Sequence, residues 1–340
     1  MARAHELAAA GAALGCSDSK GVLGWLTYTG SGVPKNKPPG EQLMRESADA
    51  GSAWGQWALG YLYYRTRKFL EAARYYRMAA EQGNLRAQFR LGYMYENGLG
   101  VALDYSEAVR YYRMAAKQGH SDAQDSLGSM YEDGRGVAQD DNEALRYWRM
   151  AADRGHSDAQ VRTGNMFEGA IGVAQDYSEA ARYYRMAAEQ GNLRAQFCLG
   201  SMYENGTGVA LDYSEAVRYY RMATEQEDEC AQFQLGEMYR KGWGVAQDDS
   251  EAARYYLMAA AQGNSDAQGS LDNMFEDGGG QNLSEAVLND AVRYFRLAAE
   301  QGDLSAQLCL GNMYKHGRGV AQDDSEAARY YRMAAAIEVN

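Results

Sequence analysis

Residues 84–119 read NLRAQFRLGYMYENGLGVALDYSEAVRYYRMAAKQG, and the rest of the chain is variations on that line. Such a period constrains the fold more than any composition, because each copy is one supersecondary unit that cannot bury its apolar face alone. One column carries Gly24, Gly60, Gly92, Gly128, Gly164, Gly200, Gly236, Asp272 and Gly311, at steps of 36, 32, 36, 36, 36, 36, 36 and 39 residues. Nine units therefore fill residues 16–340, with residues 1–15 as an N-terminal segment or cap.

Within a unit the spacing predicts two helices. Ala87, Leu91, Met94 and Tyr95 make one apolar helical stripe, and Ala108, Tyr111, Tyr112 and Ala115 make a second. Gly92 lies inside the first helix, where glycine costs about 1 kcal/mol, so its recurrence implies a close approach of the neighbouring helix. Gly98 and Gly100 stop the first helix, and Val101 fills the gap between the pair. Asp104 caps the second helix, with Glu107 placed as in a capping box; the pair returns as Asp140/Glu143, Asp176/Glu179, Asp212/Glu215, Asp248/Glu251 and Asp323/Glu326. Gly119 closes the helix. Stacked units of this kind make an all-α protein, a right-handed α-solenoid with a concave and a convex face.

The pattern A-Q-x-x-L-G-x-M-Y-x-x-G-x-G-V-x-x-D-x-x-E-A-x-R-Y-Y-R-M-A-A-x-x-G resembles the Sel-one-like repeats, relatives of the 34-residue tetratricopeptide repeats. The resemblance spans nearly the whole chain. It implies scaffolds and adaptors with many different partners. It also brings in one cysteine-rich branch linked to β-lactam hydrolysis, which pairs cysteines inside each unit.

In this chain Cys16, Cys198, Cys230 and Cys309 all fall in different units, which excludes that pairing and favours free thiols in a reducing, cytoplasmic setting. Residues 7–16 have the alternative reading of a short signal core ahead of a lipid-modified cysteine, which would make the protein secretory or periplasmic. With 46 acidic against 34 basic residues the net charge is −12, which argues against a general nucleic-acid binder. No apolar run is long enough to span a bilayer.

Three stretches depart from the repeat. Residues 33–40 hold all three prolines and read as an irregular loop, with the second helix of unit one beginning at Glu41. Unit two replaces the glycine loop by a short turn at residues 64–68. Unit eight has Asp272 for glycine and an insert at Gly278-Gly279-Gly280. A longer period overlies the first: residues 84–119 and 192–227 agree at 30 of 36 positions, as if a three-unit block had been duplicated.

Most repeated features read as packing. Fourteen of sixteen methionines fall in the Met94 and Met114 columns. The Tyr111-Tyr112 pair lies on the buried stripe, and Arg110 is in reach of Glu107. The Gln56, Gln88, Gln124, Gln160, Gln196, Gln232, Gln268 and Gln307 column suggests a backbone hydrogen bond between helices. Trp25, Trp54 and Trp57 read as core of the N-terminal units, with a contact surface as the alternative. His120 and His156 share a loop position without further ligands, so no metal or cofactor is expected. Ser17 and Lys20 match S-x-x-K but lack the partner motifs of a serine hydrolase, and no enzyme activity is expected.

What varies while the core columns stay constant is a pair of columns flanking the anchor glycine. These hold Arg90, Ser126, Arg162 and Gln234 two residues before it, and Tyr93, Ser129, Asn165, Ser201, Glu237, Asn273 and Asn312 one after. If first helices line the concave face, these residues face a groove that binds a peptide or partner protein; drift on a solvated face is the alternative. Self-association through the terminal unit at residues 334–337 is a further expectation.

Overall fold

The computed structural model describes residues 2–276 and 282–337, and these contain nineteen α-helices and no strand. The chain is an all-α solenoid whose helices gather into two compact units, Met1–Gln175 and Asp176–Asn340. The first holds α1 (Ala2–Ala13), α2 (Ser17–Thr29), α3 (Lys37–Asp49), α4 (Ala53–Arg65), α5 (Phe69–Glu81), α6 (Leu85–Asn97), α7 (Tyr105–Lys117), α8 (Ser121–Asp133), α9 (Asp141–Ala152) and α10 (Ser157–Gly169). The second holds α11 (Tyr177–Ala188), α12 (Leu193–Asn205), α13 (Tyr213–Thr224), α14 (Glu229–Lys241), α15 (Asp249–Ala261), α16 (Ser265–Glu276), α17 (Glu285–Glu300), α18 (Leu304–His316) and α19 (Asp324–Ile337). The Gly278-Gly279-Gly280 insert and the side chains of Ala336 and Ile337 lie outside the described residues.

The expected caps form, with one change. Asp104 accepts from the amides of Ser106 and Glu107 at 2.9 and 3.0 Å. Glu107 does not complete a capping box, because the Asp104 amide already donates to the Tyr95 carbonyl of α6 at 3.0 Å. Glu107 instead takes a forked hydrogen bond from Arg110, 2.7 Å at the shortest, and the guanidinium lies 4.1 Å over the Tyr111 ring. First helices are capped by Asn84, Asn192, Asp228, Asn264 and Asp303.

Gly92 does permit a close approach of the neighbouring helix, foremost of a ring and then of the Ala108 carbonyl oxygen at 3.2 Å. A methyl group there would sit 2.7 Å from the ring of Tyr112 in α7. In repeat one, where Met44 stands in the tyrosine column, Gly24 comes instead against backbone, with the Gly40 carbonyl oxygen 2.7 Å from such a methyl group. The tyrosine stripe is buried as expected, Tyr111 at 4% and Tyr112 at 0% exposure. Of the methionine columns the first is core except for the half-buried Met274. Met78 and Met258 of the second are exposed, since that position lies on the outer edge of the second helix.

The glutamine column does bridge helices. Gln88 donates 3.1 Å to the Ala80 carbonyl at the end of α5, and Gln118 donates 2.8 Å to Gln88 in turn. Gln124, Gln160, Gln196 and Gln307 repeat the bond to the preceding second helix. Open carbonyls at a helix end are thereby satisfied from the next unit. The proline segment differs from expectation: α3 starts at Lys37, with Pro38 and Pro39 inside its first turn. Amides there have no intrahelical partner, so proline costs nothing and its fixed φ suits the helix.

Candidate functional site

On α6 the accessible stripe is Arg86, Arg90, Tyr93 and Asn97, at i, i+4, i+7 and i+11. Beneath it Ala87, Leu91 and Met94 are fully buried. Arg86 lies 5.3 Å over the Trp57 ring; Arg90 lies 6.0 Å from the Tyr64 ring and 5.6 Å from that of Phe89. Neither arginine makes an ion pair among the described residues. One column of second-helix arginines does the opposite: Arg110, Arg146, Arg182, Arg218 and Arg254 all sit on a glutamate three residues before them, while Arg77, Arg113, Arg185 and Arg221 of the other column donate to a tyrosine hydroxyl of the next repeat.

Following the same columns through the rest of Met1–Gln175, Ser126 faces the Tyr112 hydroxyl and Ser129 donates 3.4 Å to a carbonyl of its own helix. Arg162 of α10 reaches back to α8, 3.5 Å from Asp125 and 3.9 Å from Glu132, and lies 5.4 Å over the Trp148 ring. Burial lifts the Asp125 carboxyl above its ordinary range in spite of Arg162. Asn165 is half-buried. His156 caps α10, accepting 3.2 Å from the Ala159 amide, with Nε2 3.5 Å from Asp122; His120 stacks 4.6 Å from Phe89, and burial pushes its imidazole down. Among the described residues no group of three His, Cys, Asp or Glu is disposed to hold a metal.

In Asp176–Asn340 the columns hold Ser201, Gln234, Glu237 and Asn312, all half-buried, and the exposed Asn273. Much of their variation follows the second-helix tyrosine. Tyr112 and Tyr220 donate to Glu96 and Glu204, four residues after the anchor, at 2.6 and 2.7 Å. In repeat seven Tyr256 donates instead to Glu237, and in repeat nine Tyr331 donates to Asn312 at 2.6 Å. Trp148 replaces the tyrosine in repeat four and donates to the Asp125 carbonyl at 3.1 Å. A buried hydroxyl needs an acceptor, and whichever neighbour supplies it is held by that duty.

Glu237 is the extreme case. Burial alone would raise its pKa, but hydrogen bonds from Arg240, Tyr256 and Lys241 outweigh that and bring the carboxyl down to about 2. A depressed carboxylate stabilises the fold fully above its unfolded pKa and loses that contribution as pH falls through the folded value. Glu237→Gln should therefore cost roughly 2 kcal/mol near neutrality, after allowance for solvent screening. The gap should close as pH falls from the ordinary 4.5 toward about 2. Urea melts of both proteins across that range check it; a gap that does not change with pH would remove the carboxylate from the account.

The columns also extend to repeats one and two, where sequence reasoning stopped short. Trp25 and Tyr61 stand one residue after Gly24 and Gly60, in register with Tyr93, and the anchor spacing alone would have found them. Trp57 is core, whereas Trp25 and Trp54 stay half-buried. Cys16 and Cys230 are exposed free thiols, Cys198 is half-buried and Cys309 buried. Lys20 is tied to Glu46 at 3.1 Å. No helix among the described residues is long and apolar enough to cross a membrane.

These features define a helical-repeat solenoid of two-helix units, with glutamines that bridge successive helices. The chain belongs to the Sel1 repeat family, whose profile matches nine times, at residues 22–52, 55–84, 85–120, 121–156, 157–192, 193–228, 231–264, 274–303 and 304–337. It is similar to a protective antigen of uropathogenic Escherichia coli that displays an SLR fold, with 30% identity and a TM-score of 0.77 over 97% of this chain and 79% of that one. It is similar also to a Sel1 repeat protein from Oxalobacter formigenes, with 30% identity and a TM-score of 0.56 over 82% of this chain and 96% of that one. Sel1 repeat proteins generally mediate protein–protein interaction.

Proposed function

We propose that this chain is a non-catalytic adaptor that holds a peptide or helix of a partner protein against its first helices. The observation that carries the reading is the stripe on α6. Arg86 and Arg90 are held on aromatic faces without carboxylate partners, in a chain of net charge −12 in which the second-helix column Arg110, Arg146, Arg182, Arg218 and Arg254 is paired with glutamate throughout. Arginine and aromatic side chains displayed together on a rigid helix are the residue types that dominate binding energy at interfaces. Several such contacts spread over successive repeats gain from multivalency.

A crosslinked pull-down from the source cell, read by mass spectrometry, tests it. The baits are the native chain and the variant Arg86→Ala/Arg90→Ala/Tyr93→Ala, matched for helicity by circular dichroism. A partner held by the native chain should fall at least about tenfold with the variant, as loss of one hot-spot cluster implies. Equal recovery by both baits would move binding away from the first helices. Arg162 and the serine and asparagine members of the columns would then be scaffold rather than contact.

A further inference from the structure

We propose that repeats one and two carry a pocket for one bulky apolar side chain of an acidic peptide. The pocket is a cavity of about 250 Å³ between α2, α3 and α4. Its aromatic walls are Trp25, Tyr28 and Tyr61, and its rim carries Lys35, Lys37 and Arg65. Trp25 and Tyr61 meet edge to face with ring centres 5.0 Å apart. Arg65 donates 3.2 Å to the Tyr61 hydroxyl at the rim.

Three observations select the occupant. The volume lies below the roughly 300–1,000 Å³ of small-molecule sites, which suits a single large side chain rather than a whole metabolite. No lining residue is acidic. The carboxylates nearest in sequence are committed elsewhere, Glu41 to Arg45 at 3.0 Å and Glu46 to Lys20 at 3.1 Å. Lys35, Lys37 and Arg65 have no ion pair among the described residues, so a local excess of positive charge stands on an acidic protein. Charge complementarity of this kind steers an acidic segment and rejects a basic one.

The rim is also held in place before any ligand arrives. The Asn36 amide donates 2.9 Å to the Thr27 carbonyl, tying the loop to α2, and Pro38 and Pro39 begin α3 directly after Lys37. A preorganised rim loses little entropy on binding. Elsewhere in the column of Trp25 and Tyr61 only Tyr93 is aromatic, and Ser129, Asn165, Ser201, Glu237, Asn273 and Asn312 offer no ring.

The inference rests on the adaptor reading only in taking a peptide as the occupant. Its test is fluorescence anisotropy with a fluorescein-labelled peptide of two glutamates, one phenylalanine and two glutamates. The full chain is compared with Lys35→Glu/Lys37→Glu/Arg65→Glu and with Trp25→Ala. Native protein should bind saturably, and the triple variant should weaken binding at least about tenfold. Raising salt from about 50 to about 500 mM should weaken native binding, since the rim charges are exposed and screened. Replacing the phenylalanine by alanine should weaken it about tenfold as well. The triple variant changes only exposed side chains, so it decides the matter even if Trp25→Ala fails to fold. No binding of the acidic peptide, equal binding by the triple variant, or equal binding of the alanine peptide each overturns the pocket. If the pocket falls while the α6 variant still loses its partner, the adaptor reading stands without it. Binding of the peptide when the α6 variant keeps its partner leaves the pocket and removes the α6 surface.

Discussion

Trp148→Ala should lower the stability of the Met1–Gln175 unit by about 4 kcal/mol, the cost of emptying a large aromatic site that its neighbours cannot fill. Trp148 is 1% exposed, its indole N–H donates 3.1 Å to the Asp125 carbonyl, and Arg162 covers its outer face at 5.4 Å. Gly128 lies directly beneath, so close that a methyl group there would meet the indole at 2.3 Å. Glycine leaves nothing that can move into the void. In a repeat array the damage is passed mainly to adjacent units, so amide exchange should rise first in α8, α9 and α10. Trp148→Tyr is the control. It restores the ring found at Tyr112, and Glu132 occupies the register from which Glu96 serves Tyr112, so its cost should stay below about 1.5 kcal/mol. Urea unfolding with hydrogen exchange checks both; similar losses for the two variants would mean that the cavity is not the cause.

Gly244→Ala should cost about 3 kcal/mol, from a strained backbone and a backbone collision together. Gly244 has φ +70°, and a methyl group would meet the Tyr213 carbonyl oxygen at the start of α13 at 2.2 Å. Neither side of that contact is a flexible side chain, so the loop or the helix must shift. Gly242, two residues earlier, has almost the same φ of +69°, but its nearest neighbour is the Gln247 side chain at 3.3 Å. Gly242→Ala should cost only about 1 kcal/mol, the left-handed conformation alone. The chain already contains that experiment, since Ala170 holds the equivalent position of repeat five at φ +55°. Thermal or urea melts of the two variants, compared directly, test the difference. Equal costs would show that the contact with Tyr213 relaxes freely.

These two cases mark where sequence reading ran out. The anchor glycine column is visible as a period of 36, and its cost inside a helix announces that something approaches it. Whether the neighbour is a backbone, a phenol ring or an indole depends on a residue twenty positions later and on how two helices cross. Likewise the two loop glycines are indistinguishable by spacing. Only the stacking of one repeat on the previous one sets Gly244 against Tyr213 and leaves Gly242 open.

What the chain's own pattern determined, then, is everything carried by local and periodic chemistry: helix pairs, their aspartate caps, the glycine stops, the buried tyrosine stripe and the glutamine bridges. Each depends on residues a few positions apart or on a column repeated in register, and both are legible in one dimension. Tertiary structure decided the rest. It sent Glu107 to Arg110 once the Tyr95 carbonyl had taken the Asp104 amide. It placed Pro38 and Pro39 in a helix rather than a loop, because a first turn has amides to spare. It made Glu237 and Asn312 acceptors for the hydroxyls of Tyr256 and Tyr331, a duty their column spacing does not reveal. And it gathered Trp25, Tyr61, Lys35, Lys37 and Arg65, spread over forty-one positions of sequence, around one cavity. Reach and burial depend on where helices meet, and a spacing rule does not contain that information.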